Sequence, residues 1–541
     1  MSALLCALFY LDRESTLGLI SAFPRSDAAY YYYQAFFAVS ISESGGMLDR
    51  VIPFSPYLEL LKIGFRLFGV SPAVMFSLNA SMLVGTSMVL PLLTAQLGHR
   101  NASLLSGLLF SLTGVMIFYA GLSVKSSFVL FATSCALLAA AAAIRRQSWW
   151  ALFSSLLLVC ITALDRDNLL IIILPIIWFF ATSGSHAMPI KALVPRFAVS
   201  VTLSVVLFFS VQQASNKLAV AEGIRNSVSV NFLAGHGIGA KGGFTKVETY
   251  PSDIVGMRLV PLNLSNKINS QTGRSQPHIF HTLGMKQWWD HYSAEIDALA
   301  LLKVKHTAQM FAQYGYGAPE LYPLWRWDNW ATRIAIIDWS VLVALLLTGL
   351  VFFRSVLFQS RSVQMLFWSG ILYGATVWMF LVTERYRLPL YLFATPIAAV
   401  VLFRLVRDRR PKIIFTCLGC LLISIGLNRV LDSDYGSGWP KDHALEKQRL
   451  EMRIEVQRGF YRLMSETNQS SSYENLHSFA KTLMQRKLYY DSLLVLNMAE
   501  ESEDIQLRRQ VFRTRKIVEQ RLSTSPYKIA SWDTVEHHFD D

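Results

Sequence analysis

Asp27 is a solitary carboxylate followed closely by four tyrosines, Tyr30 to Tyr33. Further on, Lys62 and Arg66 stand four residues apart, a spacing that puts them on one helical face. Glu384, Arg385 and Arg387 lie together in "TERYRLPLYL". A carboxylate so placed can take the proton from an attacking alcohol, which helps by about 10²–10⁴-fold, or it can hold a divalent cation. Lysine and arginine hold a departing phosphate, and arginine does so in a bidentate fork. Such groups act most strongly where water is scarce. The candidate set is Asp27 as the catalytic group, with Lys62, Arg385, Arg387, Glu384 and Tyr30 binding substrate. The metal assignment stays open. Each residue also has a plainer reading. Asp27 in "SDAAYYYYQA" can cap a helix. Lys62 and Arg66 can snorkel to an interface. Arg385 can pair with Glu384, and Arg387 can anchor a span end.

The elements that must position these residues are membrane helices. Of 541 residues, 53% are hydrophobic and 16% charged, against about 25% charged in an average soluble domain. The mean hydropathy is +0.36. An ordinary soluble enzyme is thereby excluded. Apolar runs of a length that crosses a bilayer, about 20 residues, fall at 72–97, 102–120, 123–144, 149–164, 168–183, 196–215, 333–353, 363–383, 388–406 and 411–430. Asp165, Arg166 and Asp167 interrupt 149–183, which predicts a tight hairpin with "LDRDN" at its apex. "MSALLCALFYL" at the start is a short first span or part of one. It has no basic n-region or clear cleavage site, so a signal peptide is not expected. The expected fold is an all-α polytopic bundle of about 11 transmembrane helices with amphipathic juxtamembrane stretches at 28–42 and 57–68.

Charge sets the expected sidedness. Arg100, Arg145, Arg146, Lys191, Arg196, Arg354, Arg361, Arg404, Arg407, Arg409, Arg410 and Lys412 gather in short loops on one side. The positive-inside rule makes that side cytoplasmic. Segment 12–71, the large loop 216–332 and the tail 431–541 then lie outside. The tail carries 16 basic and 18 acidic residues, while the rest of the chain holds the whole basic excess of +15. That excess fits lipid headgroups and inner loops, not nucleic acid. The tail, a second domain after 1–430, reads as a single helical hairpin weakly like a tetratricopeptide unit, with Lys487 and Ser492 where small residues are usual. One such unit cannot bury its own core, so it should dock on the membrane part or bind a protein partner.

Other features carry less. The five cysteines lie in apolar runs, where no disulfide framework is expected, and the Cys417–Cys420 pair should be buried and inert. "AGHGIGAKGGFTK" lacks the spacing of a phosphate-binding loop. His278 and His281, with His291 and His306, read as loop histidines or as zinc ligands. The tryptophans of "WRWDNW" form an interfacial belt or a sugar platform.

In order, "SDAAYYYYQA", "PFSPYLELLKIGFRLFGVSP", "LDRDNLLIIILP" and "TERYRLPLYLFATPI" resemble the bacterial GT-C glycosyltransferases. That superfamily includes the protein O-mannosyltransferases and the lipid A aminoarabinose transferase. The likeness spans roughly residues 20–405. It implies a GT-C bundle in a bacterial plasma membrane and a polyprenyl-phosphate sugar donor. It also implies an acceptor outside the cytoplasm (protein, lipid or glycan), inverting transfer of a hexose or pentose, and a catalytic acid at Asp27. Two departures stand out. Asp167 replaces a proline common after Arg166, which favours a structural role there. Lys125 stands where relatives place an acid, so any divalent cation used elsewhere in the family is not required by this sequence. The alternatives are a surface-polysaccharide polymerase or ligase, with its essential groups in 216–332, a transporter of lipid-linked substrates, or a scaffold. A transporter predicts internal repeats, which the sequence lacks.

Overall fold

The computed structural model describes residues 1–8, 55–120, 125–183, 190–218, 296–312, 334–380, 384–434 and 504–524. It also describes single positions at 31, 35, 39, 293, 331 and 382, and some within 474–496. These residues are all-helical, apart from one isolated parallel bridge between Thr113 and Ile337. Asp27, Tyr30, the histidine pair at 278 and 281, His291 and "WRWDNW" lie outside them.

Local chemistry starts and stops the helices. Helix α1 (Pro56–Phe68) opens on Ser55, whose hydroxyl accepts from the Leu58 N–H. Pro56 takes the first helical position, where its missing N–H costs nothing. The helix stops at Gly69, which has φ +83° and bonds the Phe65 carbonyl, a left-handed stop that glycine adopts freely. Helix α2 (Pro72–Gln96) repeats the Ser–Pro opening at Ser71. There follow α3 (Ser103–Ser111), α4 (Gly114–Ala120), α5 (Ser126–Arg146), α6 (Trp149–Ala163), α7 (Ile173–Thr182) and α8 (Ile190–Leu218). A 3₁₀ turn, Asp167–Ile172, leads into α7. Then come α9 (Ile296–Phe311), α10 (Trp339–Phe352), the short α11 (Arg354–Leu357), α12 (Arg361–Phe380), α13 (Glu384–Asp408) and α14 (Pro411–Asp434). Helix α15 (Ile505–Thr524) lies in the tail.

Four described helices are long and apolar enough to cross a membrane, within α2, α5, α8 and α13. The apolar helices α6, α10 and the first part of α14, and the 167–182 segment, are shorter. The hairpin expected at 149–183 forms, with its break at 164–166. The run 102–120 differs from the single span expected. It breaks at Leu112–Thr113, where Ile337 N–H donates to the Leu112 carbonyl and Gly114 N–H to the Ile337 carbonyl. This exchange satisfies backbone groups that a helix break would orphan. Span 333–353 correspondingly begins late, at Trp339, because 335–337 forms the other half of that bridge.

One apolar core joins the described part of the bundle. Helix α13 lies at its centre and packs on α3, α10, α12 and α5, while α5 packs along α2 and α6. Close approach needs small residues. A Cβ on Gly349 would sit 2.5 Å from Val401 Cγ2, so α10 and α13 touch there backbone to side chain. Helix α8 is largely uncovered and shows Phe197, Val201, Val205 and Phe209, as a lipid-facing span should. All five cysteines are free.

Candidate functional site

Among the described residues a polar network gathers at one end of the bundle, where α1 begins, α6 ends and α13 starts. Asp165 sits in the turn after α6 and is 2% exposed. Its Oδ1 accepts from Ser55 Oγ at 2.6 Å and its Oδ2 from the Tyr57 N–H at 3.1 Å. The carboxylate therefore binds the first turn of α1, where free N–H groups and the helix dipole favour negative charge. Burial pushes its carboxyl above the ordinary range. Lys125, the Ser55 and Tyr57 bonds, and Arg166 pull the other way. Tyr57 in turn meets the Tyr31 ring edge-on at 5.4 Å. Tyr31 stands four residues after Asp27 in the sequence, and Asp27 itself lies outside the described residues.

Arg166 continues the network. Its guanidinium lies 5.1 Å from the centre of the Tyr386 ring, and Nη1 reaches Tyr373 Oη at 3.3 Å. Tyr373 Oη donates to the Tyr386 carbonyl at 3.0 Å. Asn168 Nδ2 donates to Thr376 Oγ1 at 3.4 Å. The apex "LDRDN" thus holds α1 with Asp165, and α12 and the start of α13 with Arg166 and Asn168. The polar contacts of Asp165 go to protein groups. Both its oxygens already accept hydrogen bonds, and the charged neighbours are Lys125 and Arg166. No group of three His, Cys, Asp or Glu side chains gathers among the described residues.

Arg387 is fully buried. Its Nη1 donates to the carbonyls of Gln309 at 2.8 Å and Ala312 at 2.7 Å, and the guanidinium lies 5.7 Å from the Trp339 ring centre. Trp339 Nε1 donates to the Met310 carbonyl at 2.7 Å, and Ser424 Oγ donates to the Phe311 carbonyl. The four consecutive carbonyls 309–312 end α9, where no intrahelical partner exists. Side chains from α13, α10 and α14 take all four. A cation at this negative end of a helix is favoured. Helix α9 reciprocates. Lys303 Nζ donates to the Trp378 and Met379 carbonyls at 3.3 and 3.2 Å and sits over the Trp378 ring at 4.6 Å. His306 Nδ1 lies 3.1 Å from the Trp378 carbonyl. Burial draws Lys303 down to about 8 and His306 down to about 4.

The structure therefore groups Arg387 with the docking of α9, and Tyr386 with Arg166. Lys62 pairs with Glu59 at 2.9 Å along α1 and is partly covered. Glu384 and Arg385 fall in the first turn of α13, with side chains outside the described residues. Sequence reasoning gave Asp165 no site role. Its signal was there, since three ionisable residues in a row inside an apolar run are costly unless partnered.

No family model matches the chain, and neither does any curated protein. Among solved structures the chain is similar to the oligosaccharyltransferase of the archaeon Archaeoglobus fulgidus. Tethered to an acceptor peptide, that enzyme is 13% identical with a TM-score of 0.39, over 89% of this chain and 59% of the other. In complex with an inhibitory peptide and a dolichol-phosphate it is 12% identical with a TM-score of 0.38, over 91% and 59%. The apo form gives 13% and 0.39, over 82% and 59%. The chain thus matches 59% of the length of each.

Proposed function

We propose that the chain is a GT-C type glycosyltransferase of about eleven spans in a bacterial plasma membrane. It moves a hexose or pentose from a polyprenyl-phosphate donor to an acceptor hydroxyl outside the cytoplasm. The observation that carries this reading is the chain of contacts Asp165–Tyr57–Tyr31. It fastens the amphipathic helix bearing Lys62 to one rim of the bundle and sets Tyr31 against that helix. A site that grips a lipid headgroup needs such a cation-bearing helix held at the rim, with Asp27 supplying the base.

The acceptor oxygen attacks the anomeric carbon as the carbon–oxygen bond to phosphate breaks, inverting the centre. The hydroxyl proton passes to the Asp27 carboxylate, and polyprenyl phosphate leaves with the bonding pair. Lys62 and Arg385 hold that phosphate, while Tyr30 and Glu384 bind the sugar. Arg387 is a positioning residue. Its buried bonds to 309 and 312 fix the start of α13, two residues from Arg385.

The test is glycan mass spectrometry on a deletion strain complemented with Asp27→Asn. Loss of one surface sugar in the deletion, restored by the native gene and not by the variant at equal membrane abundance, is the expected result. Restoration by the variant removes Asp27 from the mechanism. Essential residues confined to 216–332 would favour a polymerase or ligase instead.

A further inference from the structure

Helix α15 has two unlike faces. Leu507, Val511, Thr514 and Val518 are buried, a stripe at helical spacing. The tail closes on this side. His477 Nε2 lies 2.9 Å from Thr514 Oγ1, and the buried Ser492 donates to the Ala480 carbonyl at 2.7 Å. At 100° per residue, Arg509 and Lys516 point directly away from that stripe, with Arg508, Phe512 and Arg513 beside them. All five are exposed. The helix holds five arginines and a lysine against one glutamate. Arg509 and Arg513 form no ion pair among the described residues. At the centre of this basic face Phe512 is 48% exposed, with Lys516 Nζ 4.9 Å from its ring centre.

Cations around an outward aromatic are what an interfacial helix presents to lipid. The apolar body enters the headgroup layer while lysine and arginine meet phosphate. The chain's own spans keep the bilayer at high effective concentration around the tail. We infer that the exposed face of α15 is a docking surface for anionic phospholipid in the membrane that holds the chain. Each cation brought to such a surface strengthens association by about fivefold.

The whole chain, carrying photoreactive p-benzoylphenylalanine in place of Phe512, is reconstituted in nanodiscs of phosphatidylcholine alone or of an equimolar phosphatidylcholine–phosphatidylglycerol mixture. After irradiation the adducts are identified by mass spectrometry. The expected result is lipid adducts in the anionic discs and at least about tenfold fewer in the neutral ones. A similar drop is expected at 1 M salt, where the Debye length is about 3 Å, and with Arg509→Glu, Arg513→Glu and Lys516→Glu combined. Equal adduct yields in the two lipids overturn the inference without reference to the folding of any charge variant. So do adducts that fall mainly on another protein in native membranes, which would assign the face to an acidic protein partner.

Discussion

Asp165 and Ser55 are 110 residues apart in the chain and 2.6 Å apart in the fold, with the carboxylate also accepting from the Tyr57 N–H. One side chain thereby serves as a second cap for α1. It reaches from the apex of the α6–α7 hairpin to the helix that carries Lys62. The amphipathic helix is not merely resting on the bundle; a buried carboxyl group holds its first turn.

Replacing Asp165 therefore has a graded effect. Asp165→Ala leaves the Ser55 hydroxyl and the Tyr57 N–H without this acceptor, at a cost of roughly 1–3 kcal/mol for each orphaned group. Asp165→Asn keeps one acceptor but sets an amide N–H₂ against the other donor, so its loss is smaller. Thermal unfolding of the purified protein should rank native above Asn above Ala. Sugar transfer should fall in the same order. An alanine variant as stable as the native chain would show that α1 is held some other way.

Arg387 has a stability role that lysine should not reproduce. Arg387→Ala removes two charge-assisted bonds to the end of α9, each worth roughly 1.5–3 kcal/mol. Arg387→Lys keeps the charge as a single point on a flexible stem. Both should loosen α9, read as faster hydrogen exchange at 302–312. Lysine should recover less than half of the protection. Unchanged exchange in the alanine variant would mean that Trp339 and Ser424 suffice.

The docking of α9 should also depend on pH. His306 has its pKa lowered by burial first and Lys303 second, to about 4. The unfolded histidine, near 6.5, then binds more protons than the folded one between these values. Stability contributed at this site is present above about 6.5 and is lost as pH falls toward 4. Lys303, lowered to about 8, gives a second rise in stability as pH climbs from about 8 toward its unfolded value of about 10.4. Unfolding midpoints across pH 4–7 should show the acid loss in the native chain and a flatter profile in His306→Gln. Identical profiles would remove His306 from the effect.

Two glycines should respond oppositely to alanine. Gly349→Ala places a methyl 2.5 Å from Val401 Cγ2, an overpacking that costs about 1–3 kcal/mol. Nothing lies within 4 Å of a Cβ built on Gly419, so Gly419→Ala should gain up to about 1 kcal/mol from helix propensity. Thermal midpoints of the two variants, measured in one detergent, test this packing directly.

Composition and apolar run length were enough to establish that this chain is helical and membrane-like. Burying a peptide backbone in hydrocarbon leaves it little else to form. The ionisable triplet at 165–167 marked the hairpin, because charge at that depth must end a helix or find partners. Ser–Pro at 55–56 and 71–72 marked two helix starts by local capping alone. Which partners those charges find was not legible, since spacing along the chain carries no information about contacts 75 to 208 residues away. Arg387 looked like an anchor or a phosphate ligand at a span end. Packing of α13 against α9 made it a helix cap, because four terminal carbonyls buried together need donors more than an interface does. The break at Thr113 was hidden for the same reason. Its cost is met by backbone from 337, and only tertiary structure brings that strand of chain within reach.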